Sequence, residues 1–139
     1  PNIEEGLRKN GRTRKDIALA SGVFVIGGAT PEQRAINRAD VRRQISFYAS
    51  TPSYAPVFEL HGWGGQAEQL SQLAARGKWA EMPAVITDDI LYTFVEEGDW
   101  AELAGKVAKR YDGLLDRVMY YLQAPPEAQR ITVKTFGAL

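Results

Sequence analysis

The chain has 139 residues, 45% hydrophobic and 24% charged, the proportions of an ordinary globular domain rather than a disordered or fibrous one. Lys plus Arg and Asp plus Glu number 17 each, which removes the simplest electrostatic case for a nucleic acid or an anionic membrane as partner. With no cysteine and one histidine, the chain has no means to build a disulfide framework, a thiolate metal site, a cysteine nucleophile or a multi-histidine zinc centre, so no metal is expected.

The start, "PNIEEGLRKNGRTRKD", is charged throughout and has no apolar core of a signal peptide. The longest apolar run, around Ala18 to Ala29, holds several glycines and is too short to span a bilayer. A soluble, cytoplasmic protein without membrane or nucleic-acid partners is the expectation. The chain opens at Pro1 without a Met, which suggests processing or a piece of a longer protein.

Ile3 to Asn10 reads as a short helix, with Asn2 as N-cap and Gly11 as stop. "IALASGVFVIGG" is nearly continuously apolar and β-branched at Val23, Val25 and Ile26, as a strand buried on both faces would be. Thr30, Pro31 and Gln33 then form a helix start: a cap, a proline at the first helical position and a capping-box partner. This helix is predicted to run to about Ala49, with Ile36, Val41, Ile45, Tyr48 and Ala49 as its apolar stripe.

A second short helix is predicted from Tyr54 to His61, ended by Gly62, and a third from Gln66 to Arg76, ended by Gly77. After a connector, Thr87 caps a brief helix through Leu91, and "YTFVEEG" reads as a strand closed by Gly98. Asp99 caps the next helix, whose Trp100, Leu103, Ala104, Val107, Ala108 and Tyr111 share one face. Gly113 stops it, and "LLDRVMYYL" is the last strand. The tail "QAPPEAQRITVKTFGAL" is polar and proline-bearing, its "RITVKTF" a loose strand or disordered.

Strands alternating with helices imply a parallel α/β sheet. Three strands make a poor free-standing sheet. They are expected to be the C-terminal portion of an eight-fold TIM (β/α)8-type barrel, or of a similar sheet, with a helical insertion at about 51–91. The remaining strands would lie outside this chain.

Several residues are candidates for chemistry. The Gly27-Gly28 turn before a capped helix could hold phosphate on free amides, but it lacks the glycine spacing of a nucleotide loop, and capping explains Thr30-Pro31. Asp88-Asp89 and Glu96-Glu97 come without other ligands at useful spacing and read as solvated surface. His61 sits at a helix C-terminus, favourable for a structural imidazole, and is also a candidate proton donor or cofactor partner. Tyr48 and Tyr54 flank a helix break and offer flat faces with polar tips, although packing is the default role for both.

The stretch "RRQISFYASTPSYAPVFELHGWG", followed by "LAARGKWAEMPAVITDDILYTFVEEGDWAELAGKVAKRYDGLLDRVMYY", resembles the C-terminal part of luciferase-like monooxygenases. It is most similar to the actinobacterial-type oxidoreductases that use the deazaflavin coenzyme F420. The shared features are the aromatic "FYASTP" to "HGW" block, the "GKWAEM" connector, the strand entering a helix and the closing "DRVMYY" strand. The resemblance covers about Gly6 to Leu122, making 1–122 the barrel part and 123–139 the tail.

The resemblance implies a (β/α)8 barrel with insertions, binding FMN or coenzyme F420 at the C-terminal ends of its strands. It further implies hydride transfer with a small-molecule substrate, or oxygen activation in the monooxygenase branch. Tyr48, Ser50, Tyr54, His61 and Trp63 would then line one side of the cofactor or substrate pocket. The catalytic group is unknown, with His61 the first candidate. "FVEEGDWAEL" departs from the family pattern and puts a cofactor contact from that turn in doubt. The competing expectation is a non-catalytic truncated homologue that covers its open sheet edges by self-association, as a homodimer, or by association with the missing barrel half.

Overall fold

The computed structural model describes residues 2–121 and 124–136. It contains helices α1 (Asn2–Lys9), α2 (Pro31–Ala49), α3 (Ala55–Leu60), α4 (Gly64–Ala75), α5 (Asp88–Phe94), α6 (Trp100–Tyr111) and α7 (Pro126–Phe136). The strands are β1 (Ala20–Gly27), β2 (Val95–Gly98) and β3 (Arg117–Tyr120). Short 3-10 turns cover Arg14–Asp16, Pro52–Tyr54 and Met82–Val85.

The apolar run in β1 is explained by burial of both its faces. Ile26, with Phe24 partly buried beside it, packs into a cluster with Val41, Ile45 and Ala49 of α2 and with Phe58, Leu70, Met82, Ile86, Ile90 and Leu91 of the helical segment. Val23 and Val25, pointing the other way, pack on Leu103 and Val107 of α6. The alternation of side chains along the strand thus feeds two separate cores.

The start of α2 follows the sequence signal, with one shift. The Thr30 hydroxyl accepts from the Gln33 amide at 3.3 Å, but the Gln33 side chain reaches the Ala29 amide at 2.9 Å rather than the cap residue. Ile36 does not join the apolar stripe and is 65% exposed. At about 100° per residue it lies roughly 140° around the helix from Val41 and roughly 180° from Ile45.

Gly62 and Gly77 end α3 and α4 at positive φ, as their placement predicts. The second carboxyl-rich segment differs from expectation. Tyr92, Thr93 and Phe94 belong to α5 rather than to the strand, because the Thr87 hydroxyl accepts from the Ile90 amide at 3.3 Å and the Thr93 hydroxyl donates to the Asp89 carbonyl at 2.8 Å. Phe94 then stacks on Phe58 at 5.8 Å. Only Val95–Gly98 pairs with the sheet.

The three strands are parallel, in the order β2-β1-β3. β2 pairs with the second half of β1, Phe24 opposite Val95 through Gly27 opposite Gly98. β3 pairs with the first half, Ala20 opposite Arg117 through Val23 opposite Tyr120. The Asp116 carboxylate pins that register by accepting from the Leu19 amide at 2.7 Å and from Arg14 at 2.6 Å. The α/β class and the parallel pairing match expectation.

The strand order does not match a barrel wall, in which consecutive strands are neighbours and all helices lie outside. Here β3 pairs with β1 and not with β2, and α6 lies on the face opposite α2. Right-handed crossovers account for both facts together. The chain steps from β1 to β2 in one direction and returns past β1 to β3, so its two crossover connections cover opposite faces. The described residues form an open, doubly wound sheet.

The tail also departs from expectation. "RITVKTF" lies in α7, neither strand nor disordered. Pro126 and Glu127 suit a helix start, Gln129 donates from its amide to Pro125 O at 3.0 Å and from its side chain to Ala124 O at 2.8 Å, and Ala128 is buried against the rest of the domain. Packing of α7 on α6 overrides the β-branched run Ile131-Thr132-Val133. Leu122, the end of the expected last strand, and Gln123 and 137–139 of the tail lie outside the described residues.

Candidate functional site

Where α2 ends, the chain breaks at Ser50-Thr51-Pro52 because proline at position 52 cannot donate within a helix. The 3-10 turn that follows swings Tyr54 back towards Tyr48, and α3 brings Val57 and Phe58 alongside. These groups, the first half of β1, Phe94 of α5 and Tyr121 at the end of β3 enclose a cleft of about 450 Å³.

The walls are aromatic. Tyr48 meets Tyr54 edge-on at 5.4 Å and Tyr121 edge-on at 5.8 Å, while Tyr121 lies tilted against Phe24 at 4.9 Å. Such offset and edge arrangements suit the ring quadrupoles. The Tyr48 and Tyr121 hydroxyls are hydrogen-bonded to each other. That bond, with some burial, holds the Tyr48 hydroxyl above the ordinary tyrosine range. Gly22 forms the floor: a Cβ there would meet the Tyr121 ring at 3.1 Å, so the missing side chain is what lets the ring approach the strand.

Of the five residues singled out from sequence, Tyr48 and Tyr54 line this cleft and Ser50, His61 and Trp63 do not. Ser50 is buried, its hydroxyl donating to the Phe47 carbonyl at 2.7 Å, and it finishes α2. His61 is exposed and stacks on Trp63 at 4.8 Å with ring planes 18° apart. Phe58 and Phe94 form a partition, facing the cleft on one side and Trp63 on the other at 5.9 and 6.1 Å. Among the described residues no side chain hydrogen-bonds the His61 ring.

Sequence reasoning missed Phe24, Phe94 and Tyr121. Phe24 reads as one more apolar residue in a strand, Phe94 reads as part of the strand "YTFVEEG", and Tyr121 reaches Tyr48 only because β3 crosses to β1. The single local hint was the Tyr120-Tyr121 pair closing the last strand.

The carboxylates near the C-terminal end of β2 are not a solvated pair. Glu97, with its side chain 18% exposed, forms a salt bridge with Arg38 of α2 and accepts from the Tyr92 hydroxyl at 2.8 Å. Burial by itself pushes the Glu97 carboxyl up, but the hydrogen bonds from Arg38 and Tyr92 outweigh it and leave it below the usual glutamate range. Glu96 pairs with Arg110 of α6 at 2.9 Å, and Asp88, more exposed, pairs with Arg42. The two glutamate pairs tie α2 and α6 to the short β2, and the Asp88 pair joins α2 to α5.

Ligands of doubly wound sheets sit in the crevice where neighbouring strands send their connections to opposite faces. Here that point lies between the ends of β1 and β2, and it is filled. The Trp100 ring lies so close to Gly27 that a Cβ would meet it at 2.2 Å. Arg34 donates to the Gly28 carbonyl at 2.8 Å, and Gln33 takes the Ala29 amide. The turn's polar groups serve the fold, which removes the basis for a phosphate there.

Residues 1–117 match the family described as luciferase-like monooxygenase. The chain belongs to the luciferase-like monooxygenase family. Uncharacterized proteins of Mycobacterium bovis and Mycobacterium tuberculosis are 34% identical to it over 137 residues, which is 98% of this chain and 40% of theirs. The chain thus spans about 40% of the length of these curated relatives. No solved structure matches it. Among the described residues of this luciferase-like chain, no group of three or more His, Cys, Asp or Glu could hold a metal ion, and no helix is long and apolar enough to cross a membrane.

Proposed function

We propose that this chain supplies the C-terminal part of a flavin- or deazaflavin-dependent oxidoreductase or monooxygenase of luciferase-like type. The observation that carries the reading is the cleft at Tyr48, Tyr54 and Tyr121, together with membership of the family. Its aromatic walls fit one face of a planar ring system. No Lys or Arg lines it, so these residues do not hold a phosphate, and the rest of a cofactor would be held by other parts of the protein. FMN or coenzyme F420, when bound, supplies hydride transfer or oxygen activation.

In that arrangement Phe24 and Tyr54 contribute apolar ring surface and exclude water. Tyr48 and Tyr121 present hydroxyls that donate to polar edges of the ring or the substrate, and that of Tyr48, raised above the ordinary tyrosine range, stays protonated at neutral pH. His61 stands on the other side of the Phe58-Phe94 partition, so a role for it requires a substrate that extends past that partition. A barrel in the whole protein requires β3 to leave β1 and pair with β2, and this finer architecture is part of the proposal.

The test is titration of the chain with FMN and with coenzyme F420, followed by fluorescence and equilibrium dialysis. Binding of either, weakened at least several-fold in Tyr54→Ala and Tyr121→Ala, is the expected result. Absence of binding to both sinks the reading.

A second reading is favoured by the sheet itself. The outer edges of β2 and β3 have no strand beside them among the described residues, and Met119 and Leu114 are 69% and 62% exposed. A non-catalytic chain that self-associates through these edges would elute as a dimer and ignore flavin.

A further inference from the structure

Of the chain's six tyrosines, Tyr48 near the end of α2 and Tyr121 just past β3 are joined through their hydroxyls. Their rings stand edge-on, 88° apart, with centroids at 5.8 Å. Two phenols meeting head-on through a hydrogen bond would hold their centroids roughly 8 Å apart. The shorter separation means that the rings fold towards each other, so that ring carbons next to the hydroxyls come together as well as the oxygens.

Both rings are held from several sides. Tyr121 lies against Phe24 at 4.9 Å and over Gly22, while Tyr48 sits between Phe47 at 5.9 Å and Tyr54 at 5.4 Å. Tyr121 is 44% exposed, so a small oxidant reaches it. The other tyrosines are not poised in this way among the described residues. Tyr92 donates its hydroxyl to Glu97, Tyr111 lies beneath Arg110, and the Tyr120 hydroxyl is shut off from solvent. Tyr54 meets Tyr48 edge-on, but no hydrogen bond joins their hydroxyls.

We propose that Tyr48 and Tyr121 form an oxidative cross-linking site, at which a one-electron oxidant fed by a peroxide joins an ortho carbon of one ring to an ortho carbon of the other. Each phenol gives up one electron and one proton, which leaves a radical shared between the oxygen and the ortho carbons. The two radicals pair as a carbon–carbon bond. The hydrogen on each joined carbon then moves to its phenolic oxygen, so the product has two hydrogens fewer than the reactants. The two electrons break the O–O bond of the peroxide, and with hydrogen peroxide the two protons leave in two waters. The bond ties α2 to the end of β3 across 73 residues of chain, which holds β3 beside β1. The site needs no flavin, so its test is separate from that of the flavin reading.

The oxidant for the test is persulfate, with light and a ruthenium tris-bipyridine complex, applied to dilute chain. Monomer is then isolated by size exclusion. Dityrosine fluorescence is expected in the monomer, together with a product in which tryptic peptide 44–76 is joined to 118–130 with the loss of two hydrogens. Each peptide carries two tyrosines, so variants fix the pair. Tyr48→Phe and Tyr121→Phe abolish the joined product, whereas Tyr54→Phe and Tyr120→Phe keep it, all four checked for folding by circular dichroism. If one of the first two does not fold, the other decides together with the fragment spectrum of the wild-type product. Unfolding in urea before oxidation also abolishes the product. The linked monomer is expected to melt about 6–12 °C above the unlinked one. No dityrosine in the monomer, a joined product that survives in Tyr121→Phe or in urea, or coupling of Tyr48 to Tyr54 instead would each overturn the proposal. Equal melting of linked and unlinked chains would remove the role of the bond in holding β3.

Discussion

The pairing of β3 with β1 can be locked and measured. Ser21 lies opposite Val118 in the parallel register. Neighbouring strands run about 4.7–4.9 Å apart, inside the Cα separation that a disulfide spans. The chain has no cysteine of its own, so any bridge within a Ser21→Cys, Val118→Cys monomer is the intended one. That bridge closes a loop of roughly 100 residues, for which chain entropy gives about 4.7 kcal/mol. Strain between parallel strands lowers the gain to roughly 2–4 kcal/mol, or a rise in Tm of about 6–12 °C for a chain near this size. The assay is mobility on a non-reducing gel and thermal melting by circular dichroism, each with and without reductant. A second pair, Glu96→Cys with Val118→Cys, tests the order a barrel wall requires. If the second pair oxidises readily and the first stays reduced, the doubly wound order is wrong and β3 belongs beside β2.

Three further outcomes are expected. Because Glu97 is held below its ordinary value, its ion pair with Arg38 contributes stability that is present above the unfolded glutamate pKa of 4.5 and is lost as pH falls through the lower folded value; Glu97→Gln should flatten that acid limb of a pH–stability curve, and an unchanged limb contradicts the pairing. Leu103→Ala, at a fully buried position between α6 and β1, should cost about 2–5 kcal/mol in urea unfolding, and a loss under 1 kcal/mol would show the second core to be loose. Tyr121→Phe removes the partner of the Tyr48 hydroxyl, so the ultraviolet titration of Tyr48 should move down towards the ordinary tyrosine range, while His61→Ala should leave that titration where it is.

Much of the candidate site was legible in the residues 42–64. The proline break, the two tyrosines beside it and the glycine that ends α3 are local signals, and the structure builds one wall of a cleft from them. The other wall was not legible. Tyr121 is 73 residues from Tyr48 and meets it only through the pairing of two strands. Likewise Glu96 and Glu97 read as surface because their arginines lie on helices distant in sequence, and a carboxylate carries no mark of whether a guanidinium awaits it.

By itself the sequence determined where α2, α5 and α6 begin and where α3 and α4 end. Thr30, Thr87 and Asp99 cap helices because their side chains satisfy amides only two or three residues away. It also determined that β1 is buried on both faces, and it carried the family in the order and spacing of its aromatic block. The tertiary structure alone decided that β3 lies beside β1, that "RITVKTF" is helix, and that Tyr121 rather than His61 closes the cleft. Those outcomes depend on which strand edge and which helix face are free when the chain returns to the sheet. Local propensities of well under 1 kcal/mol per residue do not encode that choice.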